Sequence, residues 1–379
     1  MFLKILFHIV FPQKLYQGAE RFMKILLITS IYLPHIGGIE LYVKNLAASL
    51  ISKGHDVSVF VGDRFVKKTS DSVEYGIRTV RVPVFYLKGM TYLRNKADRK
   101  ILEKELSSAE VVHLNDVKFL YKFLAQKKSI YGYKLFFSSH GFIFHTKSFL
   151  PLKKLYMKRM ARYSGFYDLN YCVSENDLKI AKDFNFSNLK MLIPGCDVKK
   201  FSEIDPNKFE KNIFVCFGRI AKNKGILELV KLFNSCSFDF SLKIIGKCDD
   251  DAYFQKIISV SKNDSRIEFL GYKTDDEIKE YIQIAEFLVF PSLHEGFGLT
   301  LVESLSSGKK IIANKIETFT QILTDCGLPE FLFDFSDDKN SLQVKIAELR
   351  KLPTRKINLE KYSVEYMSDV IERGYEDVK

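Results

Sequence analysis

The chain has 379 residues, nearly half of them apolar and including 33 Phe and 19 Tyr, so it can fill two hydrophobic cores and is too long for one ordinary core. It has no repeat or low-complexity tract, which argues against a solenoid or a disordered tail. Cys172, Cys196, Cys216, Cys236, Cys248 and Cys326 form no CxxC pair and no His-rich cluster, which argues against a zinc or disulfide framework and suits a reducing cytoplasm. The net charge of +12 is uneven: residues 1–200 hold 33 Lys and Arg against 16 Asp and Glu, the remainder 25 against 30, so the front half suits an anionic partner.

Residues 1–22 form an extension whose apolar run is broken by Lys4 and His8 and stopped by Pro12. It is too short for the ~20 residues that span a bilayer, and no small-residue cleavage site follows clearly. We read it as a misassigned start or a short interfacial anchor. Met23 then opens "MKILLITSIYLPHIGGIELYVKNLAASLISKGHDVSVFVG", which reads strand, glycine loop, helix, strand. Leu41, Leu46, Ala47 and Leu50 recur at helical spacing and Gly54 supplies the stop. "GIRTVRVPVF" and "AEVVHLND" are further β-rich runs, and "YKLFFSSHGF" is a strand ending in Ser-Ser-His-Gly. "SFLPLKKLYMKRMARY" reads as a basic amphipathic helix, with Leu152, Leu155, Tyr156, Met160 and Tyr163 on one face. Lys153, Lys154, Lys158, Arg159 and Arg162 surround that face, a layout suited to an anionic inner-leaflet surface. "FYDLNYCVSENDLKIAKDF" is a strand followed by a helix that Ser174 can cap.

A second alternation starts near residue 212. "NIFVCFGRI", "FSLKIIG", "IEFLGY" and "EFLVFPS" are strands; "KGILELVKLFNSC", "DAYFQKIISVSKN" and "DDEIKEYIQIA" are helices between them. Strands and helices that alternate in two stretches predict an α/β protein with two Rossmann-like, doubly wound parallel-sheet domains facing a cleft. The expected units are residues 23–195 and 211–360, a linker over 196–210, and a C-terminal helix over 361–379 packing back toward the first unit. Ligands then belong outside the carboxyl ends of the strands.

Three loops at such ends carry the chemistry. In "PSLHEGFGLTLVESLSSGKKIIA" the turn Gly296, Phe297, Gly298 lets backbone approach a ligand closely. A short helix from Leu299 and Thr300 to Ser307, stopped by Gly308, follows and offers free N–H groups. Glu295 and Glu303, with seven residues between them, can each accept hydrogen bonds from a diol. "FGRIAKNKGI" supplies Arg219 and Lys224, an Arg fork and a Lys point charge suited to a diphosphate. "PHIGGIE" places Gly37 and Gly38 before a helix as a second anion-tolerant loop, and His140 ends its strand where it can reach a reacting group. Hydroxyl-gripping carboxylates on either side of cations suit a nucleotide diphosphate sugar. Asp249 and Asp251 have Asp-x-Asp spacing, but so short a pattern is common in acidic loops, and no metal is assigned.

"PHIGGIE", "HG", "FGRIAKNKG", "FLGY" and "PSLHEGFGLTLVESLSSGKKIIA" together resemble the group-1 (family 4) glycosyltransferases of GT-B fold, over most of the chain from Met23. "SSHGFIFHT" followed by "CVSEND" is similar to bacterial exopolysaccharide mannosyltransferases acting on polyprenyl-diphosphate-linked acceptors. The resemblance implies that Arg219 and Lys224 hold the donor diphosphate, Glu303 the ribose and Glu295 the transferred sugar. The backbone of Phe297, Gly298 and Leu299 would help Glu295, His140 would contact the sugar near its reacting carbon, and Gly271–Tyr272 would meet the base. It implies retention of configuration, no cofactor and no metal. It also implies a GDP- or UDP-linked donor and a lipid-linked saccharide acceptor in surface polysaccharide assembly, at the inner face of the cytoplasmic membrane. "IPGCD" departs from the family, which more often has an extra residue between Pro and Gly. The alternatives are a GT-B epimerase or hydrolase of nucleotide sugars and, from the basic pI, a nucleic-acid-binding protein.

Overall fold

In the computed structural model the described residues are 22–35, 37–87, 90–142, 150–248, 250–261 and 264–378. The extension through residue 21, His145 and Asp249 lie outside them. The first half runs β1 (Lys24–Thr29), α1 (Gly38–Ser52), β2 (Asp56–Asp63), β3 (Ser70–Glu74), β4 (Ile77–Leu87), β5 (Met90–Leu93), α2 (Lys96–Ser108), β6 (Val111–Leu114), α3 (Tyr121–Tyr131), β7 (Lys134–Ser138), α4 (Leu150–Ser164), β8 (Leu169–Cys172), α5 (Glu175–Asp183) and β9 (Leu189–Met191). Its sheet has the order β3-β4-β2-β1-β6-β7-β8-β9, with β5 paired to the end of β4. All neighbours are parallel except β3 and β5, which lie antiparallel to β4.

The second half runs β10 (Ile213–Phe217), α6 (Ile226–Asn234), β11 (Ser241–Ile245), α7 (Asp251–Ser261), β12 (Ile267–Gly271), α8 (Asp275–Ile284), β13 (Phe287–Phe290), α9 (Leu299–Leu305), β14 (Lys310–Asn314), α10 (Glu317–Asp325), β15 (Leu332–Phe333), α11 (Lys339–Lys351) and α12 (Val364–Asp377). Its sheet is parallel throughout, in the order β12-β11-β10-β13-β14-β15. Helices cover both faces, so β10 and β13 are buried at every position and read in sequence as unbroken apolar runs. Leu46, Ala47 and Leu50 of α1 are buried as their spacing predicts, and Ser174 caps α5 by accepting from the Asp177 N–H at 3.1 Å.

The last helix belongs physically to the first half. Met367, Ile371 and Tyr375 of α12 are buried in one cluster with β1 and α1. Lys53 and His55 both pair with Glu372, at 2.5 and 2.7 Å. The chain therefore crosses between lobes twice, and the crossings touch: Cys196 bridges Ser363, and the Cys196 N–H donates to Tyr362 O at 2.9 Å. Gly195 is fixed by this approach, because a Cβ there would fall 2.6 Å from Ser363 O and Val364 Cα. Helix α4 divides the expected apolar stripe. Met157, Met160 and Ser164 face the core, Tyr156 and Tyr163 are half-buried, and only Leu152 and Leu155 of the stripe stay exposed.

Candidate functional site

The parallel register of the second sheet brings the carboxyl ends of β10, β11, β12 and β13 to one edge. Arg219, Lys247, Tyr272 and Glu295 follow those ends in the loops along it. The loops after β10 and β13 are laced together. Leu293 and His294 donate their N–H groups to Asn223 O at 2.9 and 3.2 Å. Lys224, closing the 3-10 turn Lys222–Lys224, pairs with Glu295 Oε1 at 2.5 Å, and Ser292 Oγ donates to the same oxygen at 2.8 Å. Thr318 holds the Glu295 carbonyl at 3.0 Å. Gly225 makes the lacing possible: its φ is +66°, and a Cβ there would lie 2.0 Å from Pro291 O.

The turn Gly296–Gly298 leads into α9 through Gly298, a left-handed residue with φ +80° packed against Phe319. Leu299 and Thr300 open that helix, and Glu303 lies within it. Burial raises the Glu303 carboxyl, while Lys200 of the linker, 3.6 Å away, draws it down. Lys200 also pairs with Asp275 at 2.9 Å. Tyr272 is 68% exposed after the left-handed Gly271.

Across the cleft, Gly37 and Gly38 open α1, and Glu40 in its first turn is buried. The Glu40 carboxylate lies over Gly37, so the glycine loop read as anion-tolerant already faces an acidic group of its own helix. Burial raises the Glu40 carboxyl, and attraction from its own backbone N–H, His35 and Arg219 opposes that shift. Arg219, itself exposed, thus acts electrostatically on the opposite lobe.

His140 follows β7 with φ +46°. Asp177 pins the chain after it, accepting from the Gly141 and Phe142 N–H groups at 2.9 and 3.2 Å. The imidazole lies edge-on to Tyr42, with centroids 4.3 Å apart, and its Nε2 meets Asn115 Oδ1 at 3.3 Å. The Asn115 amide nitrogen donates to His113 O at 3.1 Å, which leaves Oδ1 as the acceptor for His140. Behind it His113 is fully buried. Its Nδ1 meets the Tyr375 hydroxyl at 2.6 Å and its Nε2 meets Ser138 Oγ at 2.9 Å. Burial lowers the pKa of both imidazoles to about 3, so both are neutral at pH 7. Asp116, next to Asn115, accepts from the Lys118 N–H at 2.6 Å and from Ser30, and burial pushes its carboxyl up to about 6.

One lobe therefore offers an Arg, a Lys paired to a Glu, a second, half-buried Glu and a close-packed glycine turn. The other offers an imidazole that stays neutral. Asn115, Tyr42, Asp177 and Lys200 escaped the sequence reading. Asn115 and Asp116 follow a strand end in "VVHLND", the signal that singled out His140, whereas nothing local marks Tyr42, Asp177 or Lys200.

The family of Glycosyl transferases group 1 matches residues 197–366, and Glycosyltransferase Family 4 matches residues 36–200. The chain is 27% identical to the GDP-mannose:cellobiosyl-diphosphopolyprenol alpha-mannosyltransferase of Xanthomonas oryzae pv. oryzae, over 80% of this chain and 82% of that protein. It is 30% identical to an uncharacterized glycosyltransferase of Methanocaldococcus jannaschii, over 86% of this chain and 88% of the relative. The structure of Anabaena HepE in complex with UDP superposes with a TM-score of 0.67 at 16% identity, covering 94% of this chain and 98% of that one, a likeness of fold. These relatives do not favour the epimerase, hydrolase or nucleic-acid reading. With both halves matched and the two-sheet architecture shared, the chain belongs to the group-1, family 4 glycosyltransferases of GT-B fold.

Proposed function

We propose that this glycosyltransferase moves a hexose from a nucleotide diphosphate sugar to a lipid-linked saccharide in surface polysaccharide assembly, with retention of configuration. The observation that carries the reading is the Lys224–Glu295 pair laced onto the loop that bears Arg219. It puts a cation for phosphate and a carboxylate for sugar hydroxyls side by side at the carboxyl edge of the sheet. Arg219 and Lys224 neutralise the diphosphate as it departs, and the charge that develops there is where preorganised cations act most strongly. The departing phosphate takes the proton of the acceptor hydroxyl on the same face of the sugar. Glu295 and the Phe297–Leu299 backbone orient the sugar, Glu303 holds the ribose diol, and Gly271–Tyr272 lies against the base. Neutral His140 hydrogen-bonds the hexose without adding charge to the site. No metal or cofactor is assigned to this mechanism.

Mannose from a GDP-linked donor is the favoured sugar, because the Xanthomonas relative carries that activity in its name, and a polyprenyl-diphosphate-linked saccharide is the favoured acceptor for the same reason. No helix among the described residues is long and apolar enough to cross a membrane. Contact with the cytoplasmic leaflet is assigned to the basic face of α4, where Lys154, Lys158, Arg159 and Arg162 are exposed. Thermal unfolding against a panel of GDP- and UDP-sugars tests the donor, since only a ligand of the folded state raises the midpoint. Stabilisation by one sugar nucleotide, followed by transfer only when acceptor is present, supports the reading. Donor consumed at full rate without acceptor refutes it.

A further inference from the structure

A second exposed surface lies outside the donor site. Beta strand β4 pairs with β2 only as far as Pro83, and beyond that point it pairs with β5 alone, forming a two-stranded arm. Phe85, Leu87 and Tyr92 of this arm are 41, 54 and 44% exposed. The register pairs Phe85 with Tyr92 and Leu87 with Met90, so these side chains share one face, and the Phe85 and Tyr92 rings stack at 5.5 Å. The arm and α4 meet on one segment: the Thr91 N–H of β5 donates to Lys118 O at 3.1 Å, Thr91 bridges Phe119, and the Tyr156 hydroxyl of α4 donates to Val117 O. Leu152 and Leu155, four and one residues before Tyr156, are 49 and 55% exposed. Five large apolar side chains thus stand in solvent across two neighbouring elements, which is more than isolated surface residues account for.

The α4 border of this face is basic: Lys154, Lys158 and Arg159 are exposed there. Apolar side chains beside a basic border match the boundary between acyl chains and anionic headgroups. A protein partner would need acidic residues placed opposite each cation, whereas a bilayer meets this layout with no fixed register. The arm also adjoins the cleft, because it leaves β4 beyond the carboxyl end of β2, at the sheet edge where Gly37 and His140 follow their strands.

We propose that the β4–β5 arm and the first turns of α4 form one bilayer-seating face. The arm inserts Phe85, Leu87 and Tyr92 below the headgroups, and the basic α4 border contacts anionic lipid. This rests on the reading of a lipid-linked acceptor and extends it, because it delivers the acceptor from the bilayer at the mouth of the first lobe.

Vesicle flotation of the full chain tests the idea, with phosphatidylcholine alone or mixed with phosphatidylglycerol. Wild type should float with the mixed vesicles. The double variant Phe85→Ser, Leu87→Ser changes no charge and should lose about tenfold or more in vesicle binding, while its melting point and its stabilisation by sugar nucleotide stay unchanged. The double variant Lys154→Ser, Lys158→Ser should lose the preference for the anionic mixture. Transfer to a polyprenyl-linked acceptor in vesicles should fall in the arm variant, and transfer to a short-chain soluble acceptor should persist. Wild-type flotation by the arm variant overturns the proposal. So does a wild type that ignores vesicles, or one that self-associates through the arm, and each of these results leaves the donor assay to judge glycosyl transfer separately.

Discussion

Lowering the pH should destabilise the fold through two imidazoles that stay neutral inside it. His113 is fully buried with both ring nitrogens committed, and His140 is held by Asn115 and Tyr42. Burial lowers both to about 3 from the usual 6.5, and for His113 the neighbouring His140 adds to the effect. In the unfolded chain each takes up a proton as pH falls through 6.5; in the folded chain neither does so above about 3. The stability they allow is complete above 6.5 and is lost as pH falls toward 3. At about pH 5.5 each imidazole costs roughly 1.4 kcal/mol, so the two together cost roughly 3 kcal/mol. Asp116 works the other way, because its carboxyl is raised from 3.8 to about 6 and the folded state binds that proton more tightly. It returns roughly 0.8 kcal/mol at the same pH, so the imidazoles win by roughly 2 kcal/mol. Glu40 and Glu303 are raised by burial as well and pull with Asp116, so the measurement compares variant with wild type. Urea unfolding at about pH 7.5 and about pH 5.5 should show a pH penalty smaller by roughly 1.4 kcal/mol in His113→Gln, and again in His140→Gln. Single variants that keep the wild-type pH dependence would refute the reasoning, as would an imidazole that titrates near 6.5 by NMR.

Lys224→Ala should cut glycosyl transfer by about a hundredfold or more with little change in unfolding midpoint, because the proposed mechanism sets this cation against the leaving phosphates; wild-type turnover would exclude that role. Gly225→Ala puts a methyl 2.0 Å from Pro291 O in a left-handed residue. It should cost about 1–3 kcal/mol in urea unfolding and raise the donor KM as the two laced loops part. If Glu303 holds the ribose as proposed, Glu303→Gln should raise the donor KM and weaken discrimination against a 2′-deoxyribose donor, since a neutral amide oxygen replaces the charged acceptor; unchanged discrimination would place the ribose elsewhere. Lys309→Met should lower the melting point by several degrees with donor KM unaffected. The buried Lys309 ammonium donates to Lys208 O, Gln283 O and Ala285 O at 2.9, 2.8 and 3.1 Å, and methionine leaves all three carbonyls without that donor.

The double alternation was legible because its strands are covered on both faces, as in the run "FLVF" of β13. The cleft residues were legible because glycine turns and charges directly after such runs mark the carboxyl edge. Other parts left weaker traces. Strand β3 is almost wholly exposed and has no apolar alternation, and α2 buries Leu102 and Leu106 amid a mostly charged surface. The stripe on α4 looked uniform in sequence, but the core takes only the side that carries Met157 and Met160. Contacts between distant residues leave no local mark. Tyr375 meets His113 across 262 positions, and Lys200 reaches Glu303 only because the linker folds against α9.

The stitched pair of crossings at Cys196 and Ser363 has a mechanical consequence. A body hung from two neighbouring supports swings about the line that joins them and resists turning about any other. Any movement of one lobe against the other would therefore follow one arc, which would keep Arg219 in register with Glu40. Cutting the chain ahead of Ser363 would remove one support and also carry away Tyr375, the far anchor of His113. A truncation far along the sequence would thus damage both the joint between the lobes and the seat of the imidazole.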